Sequence, residues 1–333
     1  MLTDLDRSAF VTGGSGFIGG RLIRRLAGDG WRVRALARSP EAARKVEELG
    51  AESVRGDLGD GGAMRAGAHG CAYAFHAAAH LGAAGDREAF ERVNVRGTED
   101  VLAACRDAEV KRFVHVGTEA SLMAGDPLIE ADERTPLQPD SPAPYPATKA
   151  RAEIAVLTAS EEGAFETVSI RPRFVWGVGD TTLLPQLAGQ VRAGRFAWVG
   201  GGRNRTSTTH VDNVVEGLLA GAERGIPGNA YFVLDAGGPV VFREFVSELL
   251  RTQGLEPPTR SIPRFAARAI MEAGERLPRE PMLPRFAYWI TTQDCILDDA
   301  KARTTIGYAP VKTREEGLAE LRGTLRSAAA TGV

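Results

Sequence analysis

Apolar positions in the first half of the chain gather in short runs, separated by longer stretches where they recur every three to four residues. The runs AFVTG (9–13), WRVRALA (31–37), AESVRGD (51–57), CAYAFHAAA (71–79), KRFVHVG (111–117) and FETVSIRP (165–172) predict strands. The stretches 17–28, 40–50, 86–107 and 144–162 carry the helical period. Short apolar runs alternating with helices predict a parallel sheet between two helical layers. Ligands of such sheets sit at the carboxyl ends of the strands, so the residues that follow each run are the first candidates for function.

Beyond residue 172 the pattern changes. Helical stretches at 182–193, 211–224 and 241–253 are interrupted by glycine-rich and polar segments, and 255–290 is rich in proline and aromatic residues. The division expected is a sheet domain over 1–172, rejoined by about 206–238, with 173–205 and 239–333 forming a smaller lid.

At 333 residues, 43% hydrophobic and 25% charged, the chain has the composition of a soluble α/β protein with a full core. A net charge of −2 argues against a nucleic-acid partner. Only five of the 41 basic residues are lysines, so a single arginine carries little weight. Cys71, Cys105 and Cys295 are scattered and lack metal-type spacing, and His76, His80, His115 and His210 form no metal set. The N-terminus lacks a basic segment followed by an apolar one, and no run approaches the roughly 18 apolar residues of a membrane span. A cytoplasmic protein without a bound metal or membrane span is expected.

The first strand runs into VTGGSGFIGG, where Gly14, Gly16 and Gly19 fit G-x-G-x-x-G, and Gly13, Gly16 and Gly19 recur every third residue. Strand before and helix after are the context a Rossmann-type dinucleotide site requires. Glycines let the backbone approach a pyrophosphate, which the helix N-terminus stabilises. The fold class expected is therefore α/β, a Rossmann-type doubly wound parallel sheet with a C-terminal substrate-binding lid. NAD-specific sites put an acid after the second strand; here ALARSP offers Arg38 and Ser39. A guanidinium there suits a 2′-phosphate, so NADP(H) is favoured, with NAD(H) possible and a solvated arginine as the bland reading. Asp57, at the end of the third run, is placed for the adenine edge or for a helix cap.

In SPAPYPATKARAE (141–153), Pro144 and Pro146 pin a helix start and set Tyr145 and Lys149 one turn apart on one face. A phenol beside an ammonium is a proton-transfer pair in prospect, although YAPVK repeats the spacing at Tyr308 and Lys312 in a segment that Pro310 makes non-helical.

The ordered pieces TGGSGFIG, GDL, FHAAA, NVRGT, VHVGTEA, YPATK, RPRFVWG and HVDNV span nearly the whole chain. Together they resemble the extended short-chain dehydrogenase/reductase superfamily, within it the branch similar to 3β-hydroxysteroid dehydrogenases and dihydroflavonol reductases. The resemblance implies that Tyr145 transfers a proton. Lys149 would bind the nicotinamide ribose and, with the oxidised nicotinamide, favour the phenolate. Thr118 stands where the family commonly has a serine, with Ser121 as the alternative, and Asn94 matches an asparagine of the proton relay. It also implies that Phe17, Ile18, Leu58, Ala77, Ala78 and Pro172 contribute to cofactor binding. His80 would lie near the reacting centre, and helices flanking the sheet would build a homodimer.

Two rivals share this core: a nucleotide-sugar epimerase or dehydratase, and a dinucleotide sensor without the Tyr–Lys pair. In RPRFVWG, Phe174 and Trp176 stand where sugar-nucleotide enzymes commonly offer an asparagine. With Phe265, Phe286, Tyr288 and Trp289 of the lid, they suggest a flat apolar substrate, steroid-like or polyphenol-like. Some of these rings would fill the lid's own core, and Arg173 and Arg203 keep a phosphate ligand open. The activity expected is NADP-dependent interconversion of a secondary alcohol and a ketone.

Overall fold

A computed structural model describes residues 7–82, 86–276 and 282–331. Seven parallel strands form the central sheet: β1 (Ser8–Thr12), β2 (Arg32–Ala37), β3 (Glu52–Arg55), β4 (Tyr73–His76), β5 (Arg112–Val116), β6 (Glu166–Pro172) and β7 (Asn229–Val233). Their order is β7-β6-β5-β4-β1-β2-β3, so the winding reverses between β1 and β4. β7 comes from the returning segment 206–238.

The pleat explains the two cores. Ala9 and Val11 of β1, Val114 of β5 and Ile170 of β6 face one way, onto Leu22, Ile23 and Leu26 of α1 (Phe17–Gly28). Phe10 of β1 and Phe113 of β5 face the other way, onto Met64 and Ala68 of the helix α2 (Gly61–Ala68) and Val101 and Leu102 of α3 (Gly97–Asp107). The second layer is completed by α4 (Pro144–Thr158), which buries Val156. On the first face, α5 (Val211–Arg224) packs beside α1 and buries Val214, Val215 and Leu218.

The helical stretch read at 86–107 is not uniform. Arg87–Phe90 is α-helical, Glu91–Arg96 is a π-helix, and α3 follows. A π turn accommodates an extra residue and commonly marks a functional site; this one carries Asn94.

A second, four-stranded sheet pairs Val240–Val241, Arg205–Thr206 and Cys295–Leu297 with Leu128–Ala131. The last of these comes from within 1–172, so a strand of the expected sheet domain is built into the C-terminal sheet. Helices Leu183–Arg192, Phe242–Arg251, α6 (Arg264–Glu275) and α7 (Arg285–Thr292) complete this region. Among the described residues no helix is long and apolar enough to cross a membrane.

Candidate active site

A cavity of about 1530 Å³ opens at the carboxyl ends of β1, β4, β5 and β6, where the strand order reverses. Its cofactor-side wall is the first turn: Gly13, Gly16, Phe17, Ile18 and Gly19 all line it. Gly13 has φ +74°, and a Cβ there would lie 2.5 Å from the Ala78 nitrogen. A Cβ on Gly19 would lie 2.3 Å from the Gly13 carbonyl oxygen. The glycines thus keep open a bare backbone cradle, and α1 follows the N-cap Gly16 with no side-chain cap and no acid in its first turn. Unsatisfied N–H groups at an uncapped helix start suit a pyrophosphate, so the residues present fit a dinucleotide.

The other cofactor candidates divide by position. Ala77 and Pro172 line the cavity, while Ala78 meets the cradle through its backbone. Arg38 is exposed, just past β2, with no ion-pair or hydrogen-bond partner among the described residues. Ser39 accepts the Ala42 N–H at 3.2 Å and caps the helix Pro40–Glu48. Asp57 is exposed and its carboxylate accepts the Gly59 N–H at 2.9 Å, closing a turn. Leu58 packs on the core beside Gly97.

On the opposite wall, Ala143 is extended and the two prolines occupy the first turn of α4. Tyr145 and Lys149 therefore face the cavity together. The Lys149 ammonium donates to His115 Nε2 at 3.0 Å and to the Val116 carbonyl at 2.8 Å. Burial lowers Lys149 to about 8, against the pull of Glu153. His115 is held well below the usual histidine range by burial and the Lys149 charge, so it is neutral and accepts at Nε2. His76, stacked on it at 5.5 Å, is lowered to about 3 by burial and then by Lys149. It bonds Thr12 and Thr98 at 2.6 and 3.0 Å.

The Tyr145 phenol is pushed above its ordinary value, first by burial and then by the Glu119 carboxylate; a hydrogen bond with Thr118 opposes both. The lysine is directed at His115 and Val116, and the charge acting on the phenol is Glu119. Thr118 lines the cavity beside Tyr145. Ser121 is fully buried, its hydroxyl within hydrogen-bonding reach of Glu153 at 2.9 Å and the Thr118 carbonyl at 2.7 Å, away from the cavity.

Asn94 is buried, and both ends of its amide are engaged. Oδ1 accepts the His80 N–H at 2.7 Å, while Nδ2 donates to the His80 carbonyl at 3.3 Å and to Thr148 at 3.2 Å. It thereby ties the loop after β4 to α4. The His80 ring lies edge-on to Phe90 at 4.7 Å and does not line the cavity.

The rings named as substrate candidates separate sharply. Phe174 lines the cavity, held at φ +44° and packed edge-on to Phe242 and Phe245. Trp176 does not line it; that ring is 1% exposed and its Nε1 donates to Asp235 at 2.8 Å. Of the lid aromatics, Phe286 lines the cavity, 5.3 Å from the Tyr145 ring, and Phe90 flanks that ring at 6.4 Å. Tyr288 and Trp289 pack into the core beneath, and Phe265 is 77% exposed. Arg203 is exposed and outside the lining.

Arg173 lines the cavity, but its guanidinium forms a buried ion pair with Glu119. Glu119 was not among the sequence candidates. Its one signal is position: an acid directly after the threonine that follows β5. Elsewhere His210, Asp212 and Glu320 approach one another as a metal set would, but Arg21 is paired with Asp212 and Lys312 with Glu320.

Fold, glycine cradle and Tyr–Lys pair define an NAD(P)-dependent oxidoreductase of the extended short-chain dehydrogenase/reductase type. Residues 10–264 match the 3-beta hydroxysteroid dehydrogenase/isomerase family, and the chain belongs to it. It is 49% identical over 320 residues to the 4-hydroxy-2-methyl-3-oxo-4-farnesyl-3,4-dihydroquinoline-1-oxide ketoreductase of Stigmatella aurantiaca, covering 94% of this chain and 95% of that one. It is 36% identical to the 2-alkyl-3-oxoalkanoate reductase of Stenotrophomonas maltophilia (strain K279a), covering 94% and 97%. Among solved structures, MoeE5 in complex with UDP-glucose and NAD superposes with a TM-score of 0.74 at 24% identity, covering 97% and 99%, a likeness of fold.

Proposed function

We propose that this protein reduces a ketone on a bulky, largely apolar molecule to the secondary alcohol, with NADPH as its cofactor. The observation that carries the reading is the setting of Tyr145. Tyr145 lines a large cavity with its ring between those of Phe90 and Phe286, and burial keeps its phenol protonated. When bound, the nicotinamide supplies the hydride. The residues do the rest: Gly13, Gly16 and Gly19 admit the pyrophosphate, and Arg38 pairs with the 2′-phosphate. Lys149 holds the ribose, and Tyr145 donates its proton to the carbonyl oxygen as that oxygen gains charge. Asn94 keeps the loop after β4 fixed against α4, and Phe174 and Phe286 bound the substrate.

In this reading residues 1–172 with 206–238 hold the dinucleotide, 173–205 and 239–333 hold the substrate, and the sheet-flanking helices pair two copies in the cytoplasm. The named relatives, both reductases of keto compounds, support it. Conversion of a nucleotide sugar is the second reading. Among the described residues three arginines line the cavity, but Glu119 holds the guanidinium of Arg173 and Glu275 that of Arg285, which of these three leaves Arg87 for a diphosphate. The test is NADPH consumption with aryl ketones, steroid ketones and 2-alkyl-3-oxo acids, set against UDP- and dTDP-sugars. Turnover confined to the sugars would overturn the proposal.

A further inference from the structure

The Lys149 ammonium carries three N–H donors on a tetrahedral nitrogen. Two are fixed within the protein, by His115 Nε2 at 3.0 Å and the Val116 carbonyl at 2.8 Å, both on β5. The third is left toward the cavity that Lys149 lines. Glu153, one turn on in α4, attracts the ammonium by charge, but its own oxygens are engaged elsewhere. Arg171 Nε donates to Oε1 at 2.9 Å, and the Ser121 hydroxyl lies 2.9 Å from Oε2. His115 is buried and stacks on His76, its cross-strand neighbour in β4, with ring centroids 5.5 Å apart. His76 is bonded at both ring nitrogens, to Thr12 and Thr98, whereas His115 Nδ1 has no hydrogen-bond partner among the described residues. A ring that faces an ammonium presents its lone pair at Nε2 and so carries its hydrogen on Nδ1. A buried N–H without an acceptor is destabilising. The His115 ring therefore serves this core through its stack on His76 and its bond to Lys149.

We propose that His115 is a positioning residue for the cofactor: its Nε2 lone pair holds the Lys149 ammonium so that the remaining N–H meets the nicotinamide ribose. The inference rests on the reading of Lys149 as the ribose ligand. An ammonium on a four-carbon stem is a mobile point charge with rotatable donors. Held by the Val116 carbonyl alone, it would turn about that one bond. A second acceptor, carried on a strand and locked by a stacked ring, removes that freedom and fixes where the third N–H points. A ring at position 115 without a lone pair would fill the same space against His76 yet leave Lys149 half-held. Burial beside the Lys149 charge keeps His115 neutral, and neutrality keeps the lone pair available.

The experiment titrates two ligand pairs, NADPH with adenosine 2′,5′-bisphosphate and NADH with ADP, the second member of each lacking the nicotinamide ribose. The proteins are the wild type, His115→Phe, His115→Gln and Lys149→Met. His115→Phe should weaken the full cofactor about tenfold, the scale of one hydrogen bond from a charged group, and leave its fragment unchanged. His115→Gln, which keeps an acceptor on the side chain, should restore most of the lost affinity. Equal cofactor affinity in His115→Phe and the wild type, or equal weakening of cofactor and fragment, overturns the inference. Lys149→Met separates the inference from the reading beneath it. If that variant binds the full cofactor like the wild type, the ribose role of Lys149 falls. If it weakens the cofactor and His115→Phe does not, only the role of His115 falls. Should His115→Phe not fold, the imidazole nitrogen resonances of the wild type and Lys149→Met decide. A ring protonated at Nδ1 whose Nε2 signal shifts in Lys149→Met sustains the inference; one protonated at Nε2, or unmoved by the variant, overturns it.

Discussion

Replacing Arg38 with glutamine tests the cofactor assignment at the point where it is most exposed to refutation. Arg38 has no partner within the described chain, so its guanidinium is free for a ligand and its removal should leave the fold intact. The register of β2 with β3 puts Ala37 opposite Arg55, so a second exposed arginine emerges at the neighbouring strand end. A hydrogen bond to a charged group contributes roughly 1.5–3 kcal/mol, and solvent exposure sets Arg38 at the low end. A loss of about 1.5 kcal/mol is about tenfold in Kd. Arg38→Gln should therefore weaken NADPH about tenfold and leave NADH nearly unchanged, and adding Arg55→Gln should deepen the NADPH loss alone. The difference should shrink as ionic strength rises, because the Debye length falls below about 8 Å beyond physiological salt. Fluorescence titration of both cofactors at two salt concentrations measures all of this. Equal wild-type affinity for NADPH and NADH, or equal weakening of both by Arg38→Gln, would refute the reasoning.

Three further outcomes follow from the site. Tyr145→Phe keeps the ring between Phe90 and Phe286, so melting temperature and cofactor Kd should hold while turnover drops about 10²–10⁴-fold; near-normal turnover would contradict the acid assignment. Gly13→Ala puts a Cβ against Ala78 at φ +74°, which should cost about 1–3 kcal/mol in denaturant unfolding and abolish cofactor binding; an unchanged midpoint would exclude the cradle's strain. Lys149 is lowered from 10.5 to about 8 on folding, so between these values the unfolded chain binds more protons and stability gains with rising pH. Lys149→Met should remove that rise, about 3 kcal/mol in all, from the pH dependence of the unfolding midpoint between about pH 8 and 10.5. Parallel wild-type and variant curves would count against it.

What the sequence disclosed and what it withheld differ in physical range. Strand ends, the glycine turn and the proline-pinned start of α4 are written in neighbouring residues, and the central sheet and the Tyr145–Lys149 face follow from them. The extra residue of the π turn at Glu91–Arg96 leaves the apolar pattern nearly helical, so how Asn94 is engaged could not be read from the period. Phe174 and Trp176 look alike along the chain. Their separation rests on a strand of two residues, Val175–Trp176, and on Asp235, 59 positions away, which receives the indole N–H. In α7 a three-residue step turns Trp289 into the core while Phe286 keeps the cavity. Glu119 is the sharpest case. An acid after a strand reads as solvated, and Arg173 reads as a phosphate binder, until the fold closes a pair 54 positions apart and excludes water from it. Burial then reverses both meanings: the arginine is no longer free for an anion, and the carboxylate becomes a charge that disfavours ionisation of the Tyr145 phenol.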